Sequence, residues 1–400
     1  MIIELFLLFL QKKKKAMKIY YVYTALLTKG GADRVLTEKA NWLAEHGYKV
    51  SIITDSQMGR PPVFHLSPKV NLINLDIDFS KEYGHNLFKR AYLYYKLMMK
   101  YKQKMMAVMD AGKPDIVITT MGRDLDFLTN LCKDSIIIGE AHTTKKFLRN
   151  FHLLEQQGFP YKQVAWYWRR KMDKNVRKLN GVVLLTKEDA QSWEGITRTY
   201  VIPNALPFKS TEASRQNNKQ AIAVGRYNNS KGYKYLVEAW QIVHQRHPDW
   251  TIHIYGSGEL KEEVKSLIKK NNLQDTMLMH EPTDNIREKY LESCICVVSS
   301  RYEGFSMVIL EAMACGVPVV SFDCPHGPRN IIFNGEDGFL VEHLNSQAMA
   351  DKICQLIESP ELRKEMGKKA QLNIQRFSKD CVMKQWVDLF SSLVKERIVN

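Results

Sequence analysis

The feature that most constrains the fold is a regular alternation of short apolar runs with longer helical patterns. Turn residues bound each run, which is typical of buried parallel strands. Strands alternating with helices predict βαβ units and therefore an α/β protein with a doubly wound parallel sheet. The predicted strands of the N-terminal half are 18–23, 50–54, 115–119, 135–139 and 181–186.

A second cycle of the same pattern begins after a break near Pro203. Residues 209–220 are polar without apolar periodicity, as in a linker, and 221–225 then opens a new series of strands with 251–255, 277–279, 295–299, 318–322 and 338–341. We expect two tandem doubly wound, Rossmann-like domains facing across a cleft, with ligands at the carboxyl ends of the strands. The predicted division is 1–16 as an extension, 17–205 as the first domain, 206–220 as a linker, 221–378 as the second domain and 379–400 as an amphipathic helix that packs back on the first domain.

Composition supports a globular chain and excludes several classes of protein. Of the 400 residues, 45% are apolar and 25% are charged, which argues against disordered and fibrous proteins. No apolar run is long enough to span a bilayer. The seven cysteines are odd in number and form no CxxC pair, so we expect reduced thiols, no zinc site and a cytoplasmic location.

Positive charge is concentrated in the N-terminal half. Residues 1–205 hold 33 Lys and Arg against 19 Asp and Glu, whereas residues 206–400 hold 25 against 24. This one-sided excess indicates an anionic partner, either nucleic acid, acidic lipid or a phosphorylated substrate.

The first 16 residues combine an apolar run, 1–10, with a following lysine cluster, 12–15. A secretory signal has the opposite order. We interpret the segment as a start-codon artefact before Met17, with a weak interfacial anchor as the alternative.

Two glycine-containing loops each follow a first strand and open a helix. Gly30 and Gly31 allow close approach of a ligand to a helix N-terminus, although a plain tight turn has the same pattern. In the second domain, Arg226 and Lys231 lie between Gly225 and Gly232, where two cations suit a diphosphate. A solvated basic pair is the alternative, and neither GxGxxG nor a Walker loop is present.

Two carboxylates, Glu303 and Glu311, flank the start of a helix predicted over 306–315, with Gly316 following it. Apolar neighbours surround Glu311, so a carboxylate there requires partners. The pair suits binding of two sets of sugar hydroxyls, and acid–base catalysis is the competing use.

These motifs together resemble the retaining GT-B glycosyltransferases of family 4. The resemblance rests on the Glu-x₇-Glu segment within 299–320, on Gly-Gly-Ala-Asp-Arg-Val and on Gly-Arg-x₄-Lys-Gly, and it covers about Met17 to the C-terminus. The stretch 321–332 is similar to a subgroup that builds bacterial surface polysaccharides, such as capsule or lipopolysaccharide, on lipid carriers.

The resemblance implies a role for each matching position. Gly30 and Gly31 would line the donor phosphate and acceptor, and Arg226 and Lys231 would neutralise the nucleotide diphosphate. Glu303 would contact the donor sugar, Glu311 the ribose, and the backbone amides of Gly304, Phe305 and Ser306 would assist. His142 would lie near the reacting carbon, although Glu140 stands two residues before it rather than directly before it, and Asp33 and Asn330 replace residues that are usually Glu or acidic.

The implied activity is transfer of a hexose or N-acetylhexosamine from a nucleotide sugar, with UDP the expected nucleotide, to a lipid-linked or growing surface-polysaccharide acceptor. No Asp-x-Asp motif ends a strand, so we expect no metal and no other cofactor, with Arg226 and Lys231 supplying the electrostatic stabilisation. A GT-B sugar-nucleotide epimerase or phosphorylase is the enzyme alternative. A basic nucleic-acid-binding protein is the alternative from another class, although we expect no nucleic-acid partner.

Two segments of the basic half, 89–106 and 161–178, interleave cations with aromatic residues and methionines. This pattern suits an anionic membrane surface, and equally a core-packed helix with a solvated basic face, or RNA. The lipid-linked acceptor implied by the resemblance favours a peripheral location on the inner face of the plasma membrane.

Overall fold

The computed structural model describes residues 16–399. The predicted extension 1–16 lies outside the described residues except for its last residue. The strands are β1 Lys18–Tyr23, β2 Lys49–Thr54, β3 Asn71–Asn74, β4 Ile116–Thr119, β5 Ile136–Glu140, β6 Gly181–Leu184, β7 Thr199–Val201, β8 Gln220–Val224, β9 Thr251–Tyr255, β10 Met277–His280, β11 Ile295–Val298, β12 Val319–Phe322 and β13 Gly338–Val341. The helices are α1 Gly31–Glu45, α2 Leu87–Gly112, α3 Leu128–Leu131, α4 Phe151–Glu155, α5 Tyr161–Val176, α6 Lys187–Gln191, α7 Tyr233–Arg246, α8 Lys261–Lys270, α9 Ile286–Leu291, α10 Met307–Ala314, α11 Ser346–Glu358, α12 Pro360–Asn373 and α13 Lys379–Val399.

The chain forms two sheets, and their strand orders confirm the predicted α/β class. The first sheet has the order β3-β2-β1-β4-β5-β6-β7, and the second has the order β10-β9-β8-β11-β12-β13. The strand pairs of the second sheet are all parallel. In both sheets the order reverses beside the first strand, which is the doubly wound arrangement.

Most strands lie within one or two residues of their predicted positions, but β3 and β7 were missed. Asparagine stands at both ends of β3, and the residues of both strands are at most half-buried. Edge strands of this kind lack the continuous apolar run that identifies a buried parallel strand.

The described residues divide into two compact units. The first contains the chain up to Leu184, together with Ala190–Tyr200 and the chain from Gln385 onward. The second contains Leu185–Asp189 and Val201–Lys384. Each unit has its own apolar core around its sheet, with fully buried Trp193 in the first and Trp240 in the second.

The polar stretch 206–220 is packed against the second unit by hydrogen bonds. Leu206 N–H donates to the Phe377 carbonyl at 2.8 Å, Ser214 N–H to the Cys315 carbonyl at 2.8 Å, and the Gln216 amide to the Gly316 carbonyl at 2.7 Å. Backbone N–H groups of this stretch and the Gln216 side chain thus satisfy carbonyls of the second unit, two of them just after α10.

The structure also bears on two expectations drawn from composition. Six of the seven cysteines are buried, and Cys381 is exposed. Within residues 16–399, no helix combines the length and apolarity needed to cross a bilayer.

Candidate active site

The central feature of the second unit is a pair of loops at the point where the strand order reverses. β8 and β11 are parallel neighbours, so the loops that follow them emerge at the same edge of the sheet. The first loop, 225–232, carries the predicted cations, and the second, 299–306, carries Glu303. Ligands of doubly wound sheets bind at this position.

Glycine is required at the end of the 225–232 loop. Gly232 has φ +62°, and an added Cβ would lie 2.2 Å from the Ser299 carbonyl oxygen. At the start of the loop, the Gly225 carbonyl accepts a hydrogen bond of 2.8 Å from the Tyr233 hydroxyl. A Cβ on Gly225 would lie 3.2 Å from the Lys231 side chain. The aliphatic part of the Lys231 side chain therefore packs against the Gly225 backbone.

Lys231 and Glu303 join the two loops. Lys231 Nζ donates to Glu303 Oε1 at 2.7 Å, and the Ser300 hydroxyl donates to the same oxygen at 2.7 Å. The Lys231 side chain is 21% exposed and that of Glu303 11%, which leaves both accessible to a ligand. Ser299 Oγ donates to the Lys231 carbonyl at 2.9 Å, so the two loops are also linked through backbone.

The other predicted cation has a different environment. Arg226 directly follows Gly225 and is exposed. The structure therefore holds Lys231 in a fixed ion pair and leaves Arg226 on the surface, where a long side chain is free to reorient.

The segment 303–306 leads into α10, as predicted, with Gly316 at φ +67° just after the helix end. Phe305 was predicted to assist the donor through its backbone amide, and its side chain lies in the core, with its ring centroid 5.6 Å from that of Phe377. Only the backbone of Phe305 is therefore suited to a ligand. The Ser306 side chain is 1% exposed, and its hydroxyl oxygen has no hydrogen-bond partner among the described residues.

Glu311 is buried within α10 and accepts a hydrogen bond of 3.0 Å from the Tyr290 hydroxyl to its Oε2. Burial raises the pKa of Tyr290 well above its usual value, and the negative charge of Glu311 raises it further. Tyr290 therefore stays protonated and keeps donating to the carboxylate. The tyrosine satisfies part of the polar requirement that the sequence had predicted for Glu311.

The remaining predicted residues lie in the first unit. Gly30 precedes α1, and Gly31 begins it. Asp33 holds this loop, because its carboxylate accepts hydrogen bonds from Tyr23 Oη at 2.7 Å and Thr28 N–H at 2.8 Å. The Asp33 carboxylate thus braces the glycine loop.

His142 follows β5 and lies beside a buried ion pair. Its Nε2 is 3.5 Å from Glu140 Oε1, and Glu140 binds Lys39 of α1, with a distance of 2.5 Å from Lys39 Nζ to Oε2. Burial lowers the pKa of His142 below its usual 6.5, and the charge of Lys39 acts in the same direction. Both ring nitrogens are buried without a hydrogen-bond partner among the described residues, so a neutral imidazole is available to a ligand.

Several functional neighbours were missed by the sequence analysis. Ser300 and Tyr290 carry no signal of their own, because they contact the carboxylates only through tertiary packing. Lys39 did carry a signal, since it falls on the apolar face of α1 between Leu36 and Leu43. Its ammonium lies 4.0 Å from the centroid of the Trp386 ring, which contributes a cation–π interaction.

The cluster of possible metal ligands in the described residues is separate from the predicted site residues. His247, Cys354 and Glu358 present ligand atoms within 4.8 Å of one another. Glu358 already pairs with His247 at 3.0 Å, and Cys354 lies beside the Arg246 guanidinium, whose charge opposes a bound cation.

The chain is similar in sequence to several known glycosyltransferases. Residues 207–373 match the family described as glycosyl transferases group 1. A protein of Haemophilus influenzae called an uncharacterized glycosyltransferase is 29% identical over 92% of this chain and 98% of its own length. A poly(ribitol-phosphate) alpha-N-acetylglucosaminyltransferase of Staphylococcus aureus is 32% identical over 67% of this chain and 57% of its own length.

Solved structures show the same fold. Sucrose-phosphate synthase from Thermosynechococcus elongatus matches with a TM-score of 0.77 at 18% identity, over 95% of this chain and all of the other. TarM of Staphylococcus aureus, as a variant bound to fondaparinux, alpha-GlcNAc-glycerol and UDP, matches with a TM-score of 0.72 at 16% identity, over 94% and 99% of the two chains. Residues 207–373 resemble the group 1 glycosyl transferases, the chain has the GT-B fold, and together with the named relatives these matches support a glycosyltransferase enzyme.

Proposed function

We propose that the enzyme transfers a hexose or N-acetylhexosamine, with retention at the anomeric carbon, from a UDP-sugar to a lipid-linked glycan or growing surface polysaccharide. The observation that carries this proposal is the Lys231–Glu303 pair at the strand-order reversal of the second unit. It combines a cation for a diphosphate with a carboxylate for sugar hydroxyls.

The diphosphate is assigned to Lys231 and Arg226. When the bond to the sugar breaks, negative charge grows on the departing diphosphate, and a fixed cation stabilises that charge more than it stabilises the bound donor. Lys231 is held in place by Glu303 and by the Gly225 backbone. Arg226, being exposed, adds a second cation when the donor binds.

The nucleotide and the acceptor are assigned with support from the relatives. The Staphylococcus aureus relative is named for transfer of N-acetylglucosamine to poly(ribitol-phosphate), and the TarM structure contains UDP. The first supports a polymeric, phosphate-rich acceptor, and the second supports a UDP-linked donor. An anionic acceptor also agrees with the excess of positive charge in residues 1–205.

For the chemical step we assign front-side displacement. The acceptor hydroxyl oxygen forms a bond to the anomeric carbon on the face that the diphosphate leaves, and the hydroxyl proton passes to a departing phosphate oxygen. Burial raises the pKa of the Cys324 thiol to about 12, so this thiol remains protonated and is a poor nucleophile. In the first unit, we assign neutral His142 to a hydrogen bond with the acceptor.

No metal is required in this scheme, because Lys231 and Arg226 neutralise the diphosphate. Turnover should therefore persist in EDTA at a concentration that strips Mg²⁺ and Mn²⁺. Loss of activity in EDTA, with recovery on adding either ion, would refute this part of the proposal.

The main experiment is a panel of nucleotide sugars tested with purified enzyme, measuring UDP release with and without a glycolipid or polysaccharide acceptor. Acceptor-dependent release identifies a transferase, whereas product without acceptor favours an epimerase. Glu303→Gln should lower turnover by orders of magnitude without unfolding, and Glu238→Gln, on the exposed face of α7, is the matched control. Equal activity of both variants would show that the site is misplaced.

Membrane association is assigned to an aromatic-basic surface formed by α2 and α5. The two helices are neighbours, since the Tyr94 and Trp168 ring centroids lie 6.4 Å apart. Exposed aromatic side chains stand beside exposed cations on both helices, and Arg170 lies 4.2 Å from the Trp166 ring centroid. The exposed aromatics are Phe88, Tyr92, Tyr95, Phe159, Tyr161, Trp166 and Tyr167.

Core packing, the other interpretation of these helices, also holds for part of them. Tyr101, Met105 and Met109 of α2 are buried in the first unit's core. The aromatic-basic surface is therefore what remains outside, and aromatic rings mixed with cations favour an anionic bilayer.

Vesicle co-sedimentation tests this surface directly. The protein should bind vesicles containing phosphatidylglycerol at low salt, bind phosphatidylcholine vesicles weakly, and dissociate as salt rises. Trp166→Ser should reduce binding to anionic vesicles and leave the thermal unfolding midpoint unchanged. Equal sedimentation with both lipids, or none with either, would remove membrane association from the proposal.

A further inference from the structure

The loop after β12 contains three polar side chains of interest. Two are held by hydrogen bonds, and the third has a ring nitrogen without a hydrogen-bond partner among the described residues. Arg329 donates from Nε and Nη2 to both oxygens of Asp323, each at 2.9 Å. Asn330 Nδ2 donates to Glu188 Oε2 at 2.9 Å. In contrast, His326 Nδ1 is buried without a hydrogen-bond partner among residues 16–399.

The backbone of this loop lies directly against the Glu303 segment. A Cβ added to Gly327 would be 2.9 Å from Glu303 Cβ, 3.7 Å from Phe305 Cα and 3.7 Å from Ser306 N. Gly327 has φ +47°, so glycine meets both the steric and the conformational requirement there. His326 directly precedes Gly327, so its backbone lies next to the Glu303 segment, and its imidazole also faces Glu188, whose pKa it helps to lower.

His326 itself adopts a conformation that favours glycine, with φ +68° and ψ −162°. A bulky residue in this region is rare and occurs most often where the surrounding structure imposes it for function. The side chain gains no internal hydrogen bond at Nδ1 in return for this backbone. A ligand group that pairs with the imidazole would account for both observations.

A second polar group belongs to the segment that packs against Gly327, since Ser306 N is one of the atoms nearest to Gly327. The Ser306 hydroxyl is buried and has no hydrogen-bond partner among residues 16–399. A buried hydroxyl and a buried imidazole nitrogen without partners each carry a desolvation cost that a bound hydroxyl-rich ligand removes.

We propose that His326, beside Glu303 and Ser306, hydrogen-bonds a hydroxyl of the donor sugar and so determines which sugar epimer the enzyme accepts. This inference rests on the proposed function, because it places the donor sugar at Glu303. Arg329 and Asn330 position the loop through Asp323 and Glu188. A donor that lacks the matching hydroxyl leaves the imidazole unpaired, and such a site discriminates strongly.

The test compares two substitutions at His326 that differ in one property. His326→Gly keeps the left-handed backbone and removes the imidazole. His326→Asn leaves the strained backbone of the wild type in place and retains a side-chain amide close to the position of Nδ1. Asn272→Gly is the control for relief of a positive φ elsewhere in the second unit, because Asn272 is exposed and has φ +53°.

Two ratios are measured. The first compares kcat/KM for the preferred UDP-sugar with kcat/KM for its epimers. The second divides the Kd of UDP by the Kd of the preferred UDP-sugar. In His326→Gly we expect both ratios to fall at least tenfold, with the affinity for UDP alone unchanged. Both ratios should stay within about threefold of the wild type in His326→Asn, and both should equal the wild-type values in Asn272→Gly. Unchanged ratios in His326→Gly, a wild type that does not discriminate, or an equal loss for UDP alone would overturn the inference.

The binding ratio separates this inference from the proposed function. The wild type could turn over no donor while His326→Gly still lowers the ratio of the two Kd values. That result would support sugar recognition by His326 and refute transfer. Normal transfer with an unchanged epimer ratio in His326→Gly would refute sugar recognition by His326 and leave the proposed function intact.

Discussion

Lys231→Ala is the substitution that tests the site most directly. The change removes the ammonium that lies 2.7 Å from Glu303 Oε1 and that we assign to the donor diphosphate. It also leaves the Glu303 carboxylate, 11% exposed, without its cation close to two phosphate groups. Two unfavourable consequences therefore follow from one truncation.

The expected magnitude follows from these two contributions. A hydrogen bond to a charged group contributes roughly 1.5–3 kcal/mol. Two like charges about 6 Å apart at an effective dielectric constant of about 20 repel by ~3 kcal/mol, a value that solvent reduces at a partly exposed site. We therefore expect the substitution to remove at least ~3 kcal/mol of transition-state stabilisation, which lowers kcat/KM for the donor on the order of a hundredfold.

The assay is steady-state kinetics on the preferred UDP-sugar, together with calorimetric titration of UDP at low and high salt. The affinity of the wild type for UDP should fall as salt rises, and that of Lys231→Ala should fall less, because one ionic contact is missing. Lys234→Ala is the matched control, since Lys234 is in the next helix with a side chain 70% exposed. A change of less than threefold in kcat/KM for Lys231→Ala, with folding intact, would refute the assignment of the diphosphate to this lysine.

Three further predictions concern stability and pH. Gly232→Ala should abolish the rise in unfolding midpoint that UDP produces, because its Cβ would lie 2.2 Å from the Ser299 carbonyl; a normal UDP-induced rise would contradict the geometry. Burial raises the pKa of Asp55 to about 7 from its ordinary 3.8, so the native state keeps a proton that the unfolded chain releases. Relative to Asp55→Asn, the wild type should therefore lose ~4 kcal/mol of unfolding free energy as pH rises from about 4 to about 7; parallel urea-unfolding profiles of the two proteins would exclude this. Lys39→Met should cost ~3–5 kcal/mol in urea unfolding because it strands the buried Glu140 carboxylate, and adding Glu140→Gln should recover most of it; equal stability of the single and double variants would show that the pair is not coupled.

The architecture was predictable because it depends on local pattern. Short apolar runs between turn residues located the buried strands, and their alternation with helices predicted parallel sheets. Glycine positions could be identified for the same reason, since Gly232 and Gly316 occupy left-handed backbone that a sequence motif can indicate. The edge strand β3 escaped because its half-exposed residues carry no such pattern.

The partners of the site residues depended on the tertiary structure. Lys231 and Glu303 stand 72 residues apart, and only the parallel pairing of β8 with β11 brings their loops to one edge. The same holds for Lys39 with Glu140, 101 residues apart, and for Gly327 against Glu303. The sequence alone therefore determined which chemical groups are present and which local backbone carries them. Folding decided which charges are paired and which polar atoms, such as His326 Nδ1 and Ser306 Oγ, stay unpaired, because pairing depends on distance in space and not on separation along the chain.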